Sequence, residues 1–425
     1  MTGVFENVLG QEDLVRSVRG DLERGELPGA LLFEGPPNSA KLTAALELAR
    51  AGSCAAAAAW NCPCPDCARH RAMSHPDLLL LGPKSHREEL AAGAAMLERS
   101  PGTASRYFFA RAARKLARRF DRALYEGEEG RLAKAAPLVR SLMEGADACM
   151  PGGSTDTEAA ATAKSLLAGC FKLNDLLPDS TPVFQVRALE AWARQTPFGT
   201  RKTVLIEHAD RMLDAARNAL LKILEEPPAH ARFVLTTTRR QAIIPTLLSR
   251  VRRYRFLPRT ADEARAVIER VFRDRAQPGA SVDSYLGSFR AGGSAAVEEA
   301  AAVFASALAA SLVDSTDGGG DPALARLAAG SAVGVREAIR TAAAATANFG
   351  AGDEAMAWSF QAFLDAAFSR FAALGRDPDA GRASLRLAER FARLSRDALM
   401  RQSSYNLNPV PLAERLAAAM EEPSP

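Results

Sequence analysis

Apolar positions along this chain fall into two kinds of run. Short, almost unbroken ones occur at Ala30-Leu31-Leu32-Phe33-Glu34, at Thr203-Val204-Leu205-Ile206 and at Phe233-Val234-Leu235-Thr236-Thr237. Runs of this length without polar alternation suit strands buried on both faces of a parallel sheet. Around them lie stretches with a single apolar stripe, from Gln11 to about Arg24 and from Lys41 to Arg50, which predict amphipathic helices. Strand, loop and helix in immediate succession at residues 30–50 is the unit of an α/β domain. After Arg259 a short helix is expected from Ala261 to Arg273, leading past Gln277-Pro278-Gly279. From about residue 282 to the end, helical periods rich in Ala and Leu replace strand patterns and predict a helical bundle, with a loop at Gly318-Gly319-Gly320.

Between the first and second strands, residues 84–180 are far longer than a connection requires. Phe108, Ala112, Leu116, Phe120 and Leu124 recur every fourth residue and predict one long helix with an apolar stripe. Arg106, Arg111, Arg114, Lys115, Arg118, Arg119 and Arg122 lie opposite, with Asp121 among them. Two readings remain open here. The basic face is solvated on a helix that packs against a second one near Glu158 to Leu173, across the Met150–Thr157 linker, or it tracks a phosphate backbone.

The candidate chemistry starts at the end of the first strand, where Gly35-Pro36-Pro37-Asn38-Ser39-Ala40-Lys41-Leu42 outlines a phosphate-binding loop with two positions replaced. In an intact loop, backbone N–H groups cradle phosphates, the lysine reaches the terminal phosphates and a Ser or Thr hydroxyl ligates magnesium. Gly35 and Lys41 remain, whereas Ala40 stands for the second glycine and Leu42 for the hydroxyl. A plain Pro/Gly turn between strand and helix is the competing reading. The second strand ends in Glu207-His208, where a hydrolase of this kind needs two adjacent carboxylates for the metal and the attacking water. His208 is expected to be a solvent-facing loop residue.

Composition narrows the classes. At 425 residues, 48% hydrophobic, the chain can bury the cores of several domains. It shows no run of about 18 apolar residues and no leader pattern near Met1, so no membrane partner and a cytoplasmic location are expected. A net charge of +4 permits contact with nucleic acid without arguing for it. Cys54, Cys62, Cys64 and Cys67 place four thiols within fourteen residues, enough for a closed tetrahedral structural zinc site. Cys62-Pro63-Cys64 leaves one residue between ligands, so either all four cysteines bind or His70 replaces Cys62. Cys149 and Cys170 stand apart as core thiols.

Asn218-Ala-Leu-Leu-Lys222-Ile-Leu-Glu225-Glu226-Pro227-Pro228, with the strand Phe233–Thr237 and Leu247-Leu-Ser249-Arg250 after it, resembles the clamp-loader family of AAA+ proteins, the δ′ and γ/τ type subunits of bacterial DNA polymerase III. The resemblance implies a phosphate-loop-type α/β module with flanking helices at 1–258, carrying the zinc segment 54–67 and the insertion 84–180. It further implies a small helical lid from 259–280 onward to about 300 and an all-α collar at 301–425. The family spaces its cysteines C-x8-C-x2-C-x2-C, with His75-Pro76-Asp77 matching its downstream landmark.

Three departures follow the δ′ pattern rather than γ/τ: the altered loop, Glu207-His208 in place of two carboxylates, and a lid segment, Gly292-Gly293-Ser294-Ala295-Ala296, without arginine. Asn406-Leu-Asn408-Pro409-Val-Pro-Leu-Ala-Glu414 resembles the δ′ C-terminal string, or is an ordinary Asn-Pro helix start. The resemblance implies that Ser249 and Arg250 stand at the family's Ser-Arg-Cys motif, with Val251 replacing its cysteine, and that Arg250 reaches the γ-phosphate held by a neighbouring subunit. The expected function is thus a non-hydrolysing subunit of a hetero-pentamer with γ/τ and δ that loads the sliding clamp on primed DNA, without productive ATP binding of its own. The alternative is an ATP-hydrolysing γ/τ-type subunit.

Overall fold

A computed structural model describes residues 3–56, 58–276, 279–289, 294–315, 321–347, 353–374, 377, 379–405 and 407–421. The chain divides into two compact units, residues 1–287 and 288–425.

In the first unit, β1 (Ala30–Glu34), β2 (Leu78–Leu81), β3 (Lys202–Ile206), β4 (Ala231–Thr237) and β5 (Arg252–Arg255) form a parallel sheet in the order β2-β3-β4-β1-β5. The helices are α1 (Glu12–Glu23), α2 (Lys41–Ser53), α3 (Pro65–Arg71), α4 (Arg87–Arg99), α5 (Thr103–Ala117), α6 (Glu129–Cys149), α7 (Asp156–Asp175) and α8 (Val183–Arg194). They are followed by α9 (Asp214–Glu225), α10 (Pro245–Leu248), α11 (Ala261–Val271) and α12 (Val282–Gly287). Successive strand residues point to opposite faces, and both faces are covered. Leu32, Leu81, Ile206 and Leu235 join a core with α4 through α9, while Leu31, Leu80, Leu205 and Val234 join another with α1 and α2. This is an α/β fold, a parallel sheet with helices on both faces. Two strands were not anticipated. β2 is a four-leucine run with no pattern beyond its apolarity, and β5 lies at the sheet edge, where Tyr254 alone of its four residues is buried.

The insertion differs from its expected form in two ways. α5 stops at Ala117, and Phe120 and Leu124 follow in separate single turns, still buried, so the fourfold stripe continues through a bent chain rather than one long helix. The second helix occurs as α7, opened by a capping box of Thr155 and Glu158 after the Met150–Ser154 turn. The basic face is neither solvated nor open to a phosphate backbone. Arg106 donates to the Cys149 and Ser154 carbonyls and pairs with Asp156, Arg114 donates to the Ala72 carbonyl and pairs with Asp147, and Lys115 pairs with Glu89. Arg111 donates to the Arg71 carbonyl and Arg118 to those of His75 and Leu78, which leaves Arg122 as the exposed member. A guanidinium with five fixed donors suits such a task, because several carbonyls at the ends of irregular segments need partners at once.

The second unit comprises α13 (Ser294–Ser315), α14 (Pro322–Ala328), α15 (Val335–Ala347), α16 (Asp353–Leu374), α17 (Arg382–Tyr405) and α18 (Pro409–Glu421). They share a core that includes Phe304, Phe363, Phe371, Phe391 and Leu416. Asp321 caps α14 at the Ala323 and Leu324 N–H groups and also accepts from Gly381 N, Ser384 N and Ser384 Oγ, joining the starts of α14 and α17. α18 begins at an Asn-Pro start, with Asn408 Oδ1 accepting from Val410 N at 2.9 Å. Asn406, Gly292, Gly293 and Gly318–Gly320 lie outside the described residues, as do the side chains of Ser294, Ala295 and Ala296. Among the described residues no helix is long and apolar enough to cross a membrane.

Candidate functional site

In the parallel sheet β4 lies between β1 and β3, so the loop after β1 and the acidic turn after β3 leave the same end of the sheet on either side of the end of β4. Gly35 leaves β1 at φ +155, and a Cβ there would lie 2.5 Å from the Phe256 carbonyl oxygen, so the close approach of β1 to the chain after β5 requires glycine. Asn38 and Ala40 both have positive φ, and Ala40 at +71 is the N-cap of α2 without a side chain to cap it. The Lys41 ammonium turns back on its own loop. It donates to the Gly35 carbonyl at 2.8 Å, to the Pro36 carbonyl and to Ser39 Oγ at 3.2 Å. Burial pushes Lys41 down to about 8, against the opposing pull of Asp210 and Glu207. The loop is also braced from the approach to α11: Arg259 donates to the Asn38 and Leu9 carbonyls, and the Asn38 amide donates to Asp283 of α12 at 2.9 Å.

β3 ends at Ile206, one residue before the acidic turn. Glu207 is buried and pairs with Arg119 of the insertion. Burial alone would raise its carboxyl, yet the Arg119 charge, helped by His86 and His208, holds it at about 2. His208 is not the solvent-facing residue expected. It is half-buried in a left-handed backbone at φ +51, and burial keeps its imidazole below the usual value. Asp210 accepts from Thr237 Oγ1 at 2.7 Å, so this carboxylate serves the end of β4.

Ser249 and Arg250 follow α10 on the surface. The Arg250 guanidinium, with its side chain 29% exposed, donates to the Thr246 carbonyl at 2.6 Å and pairs with Glu225 at 2.5 Å. Ser249 Oγ donates to the Thr246 carbonyl at 3.0 Å and lies 3.4 Å from Arg250 Nη1. Thus the Ser-Arg pair is fixed to the end of α9, the helix made by the Asn218–Glu225 string.

The Sγ atoms of Cys54, Cys62, Cys64 and Cys67 all lie within 4.8 Å of one another, an arrangement that could hold a metal ion. Cys54 to Cys62 measures 3.7 Å and Cys54 to Cys64 3.8 Å. Zinc–sulfur bonds of about 2.3 Å in a tetrahedron set sulfurs roughly 3.8 Å apart, so the donors fit that ion. His70 does not join them: its Nε2 lies 3.0 Å from Ser53 Oγ and its ring stacks on His75 at 4.1 Å. Arg50 of α2, buried and paired with Glu47, donates to Cys67 Sγ at 3.3 Å and to the carbonyls of Ala58 and Ala59. The cluster is thereby tied to the helix that starts at Lys41, in the loop after β1. Neither Arg119 nor Arg259 could be assigned from the sequence, because each acts on residues far away in the chain, Arg119 on one 88 positions on. Glu225 was visible as part of a string but carried no hint of its arginine partner.

The family described as DNA polymerase III, delta subunit, matches residues 10–260. The DNA polymerase III δ′ subunit of Bacillus subtilis is 32% identical over 141 residues, which are 32% of this chain and 41% of that protein. The δ′ subunit of Escherichia coli is 45% identical over 61 residues, 14% of this chain and 18% of the relative. The γ/τ subunit of Mycobacterium tuberculosis (strain H37Rv) is 36% identical over 114 residues, 26% and 19%. The chain spans less than half the length of each of these curated relatives. With more than half of its residues matched by that family, the chain belongs to the DNA polymerase III delta-subunit family, within the clamp-loader group that its Asn218–Pro228 string resembles.

Proposed function

We propose that this chain is the non-hydrolysing, δ′-type subunit of a DNA polymerase III clamp loader, which completes ATP hydrolysis on a neighbouring subunit through Arg250. The observation that carries this reading is the contrast between its two arginine- and lysine-bearing ends. Lys41 is bound to its own loop carbonyls and is followed by Leu42, whereas Arg250 is held half-exposed at the surface by Glu225 and the Thr246 carbonyl. The donor set does not fit a magnesium nucleotide: Leu42 has no ligand atom, and Glu207, the carboxylate at the strand end, is paired within the chain. A permanently charged planar fork is the side chain suited to a phosphoryl group in transfer.

The partners in this reading are γ/τ and δ subunits in a hetero-pentamer, with the sliding clamp and primer-template DNA reached through the complex, in the cytoplasm. The α/β module at 1–258, the lid from 259 to about 300 and the collar at 301–425 take the roles of base, lid and assembly domain. Structural zinc is held by Cys54, Cys62, Cys64 and Cys67. In a loader reconstituted with γ/τ and δ, Arg250→Ala is expected to lower turnover at the site it serves by on the order of 10³-fold while assembly persists; unchanged turnover in the assembled variant defeats the reading.

The second reading, a γ/τ-type hydrolysing subunit, draws on the retention of Gly35 and Lys41 and on the similarity to γ/τ proteins. Micromolar, magnesium-dependent ATP binding by the isolated chain would favour it.

A further inference from the structure

Arg119 is 1% exposed, comes from the insertion and reaches the end of the sheet. There the chain leaving β2 and the chain leaving β3 run side by side, with Gly82 after one strand and Glu207 after the other. A Cβ on Gly82 would lie 2.7 Å from Arg119 Nη1 and 2.9 Å from Glu207 Cβ, so the guanidinium fits because nothing projects from residue 82. Arg119 Nη2 donates to Glu207 Oε2, while Nε and Nη1 have no hydrogen-bond partner among the described residues. Apart from the exposed Arg122, the other basic residues of the segment bind acidic groups of the insertion or backbone carbonyls of the insertion, of the chain from Arg71 to His75 and of the start of β2. Arg119 differs: among the described residues its hydrogen-bond partner is one carboxylate, at the end of β3 and outside the insertion, so its task there is charge compensation rather than bracing.

We propose that Arg119 is a built-in replacement for the divalent cation at this strand end: it neutralises Glu207 and bars a metal from the carboxylate. The inference deepens the reading of this chain as a non-hydrolysing subunit and rests on it. A carboxylate at the end of this strand serves a hydrolase by holding a metal ion. Arginine does not lose its proton in a protein, so a divalent ion would have to enter beside a fixed positive charge in a place that water does not screen. The neighbouring carboxylate, Asp210, is engaged by Thr237. The insertion thereby closes the metal half of the site at this end of the sheet.

The test uses the full, zinc-loaded chain without nucleotide and Mn²⁺ as the probe, a hard cation that prefers carboxylate oxygen to thiolate. Wild type is expected to show no change in thermal midpoint and no bound Mn²⁺ by electron paramagnetic resonance at millimolar concentrations. Arg119→Met is expected to bind Mn²⁺ at least 10-fold more tightly and to rise by about 3–4 °C when the ion is added, and Arg119→Met with Glu207→Gln to lose both effects. Should Arg119→Met fail to fold without metal, refolding in millimolar Mn²⁺ is expected to recover it. The proposal is overturned if wild type binds Mn²⁺ through Glu207, if folded Arg119→Met ignores the ion, or if Mn²⁺ does not recover an unfolded variant. Magnesium-dependent ATP turnover by the isolated wild type is a separate result that defeats the proposed function and is read independently of the nucleotide-free assay.

Discussion

Ala40 carries a local cost in the loop between β1 and α2. Its φ of +71 places the Cβ against the backbone, and as the N-cap of α2 it offers no oxygen to the first turn of that helix. Glycine relieves the first penalty and is itself a better N-cap than alanine. Losing a half-buried methyl group and adding unfolded-state freedom offset part of the gain. Ala40→Gly should therefore stabilise the first unit by about 0.5–1 kcal/mol, read as a rise in denaturant midpoint at unchanged m-value; a lower midpoint would mean that the methyl contact outweighs the strain. Leu42 stands beside it without any such conflict, because position 42 is helical and asks for nothing that leucine lacks. The loop thus carries a conformational penalty at position 40 and none at position 42.

At the scale of elements, the cysteine segment is the part whose shape depends on four donors meeting. Cys54 lies just past α2, Cys64 caps α3 and Cys67 lies within α3, so a bound ion connects two helices through a stretch with little core of its own. Stripping zinc with a chelator should melt α3, seen as a small loss of helical signal and a lower thermal midpoint, and release one ion per chain. Cys62→Ser should lose the ion and His70→Ala should retain it, as metal content of the purified variants will report; the reverse result would make His70 the fourth ligand. How much of this was legible follows from the reach of each signal. The thiols are close in sequence, and the loop, the strand ends and Ser249-Arg250 belong to short strings, so local spacing along the chain is enough to single them out. It is not enough for β2 and β5, since four leucines suit helix or strand alike and Arg-Arg-Tyr-Arg has a single residue to bury. The basic face of the insertion misled for a related reason. Periodicity shows that positively charged groups share a side, and it does not show that carbonyls at Ala72, His75 and Cys149 wait opposite.

For the molecule as a whole, the fold class and the change from strand pattern to helical bundle were plain in the sequence, whereas the partnership between insertion and sheet end was not. That partnership gives the first unit a definite acid response. His86, buried at the start of α4, is pushed down to about 3 by burial and by Arg119, with Glu207 pulling the other way. The folded chain therefore keeps His86 neutral between its ordinary value of 6.5 and about 3, while the unfolded chain takes up a proton there. Across that window the unfolded state binds more protons, so stability falls as pH falls. Glu207 acts lower: its contribution is complete above the ordinary 4.5 and is lost as pH drops from there toward about 2. Between pH 6.5 and 4.5 the slope of stability against pH is thus set by buried histidines and not by this carboxylate. His86→Leu should flatten that slope by about 1.4 kcal/mol per pH unit while leaving the region from pH 7 to 8 unchanged. Urea unfolding at half-unit pH steps measures both. An unchanged slope in the variant would show that His86 gains its proton in the folded chain near its ordinary value, and that the space between the insertion and the sheet end admits water.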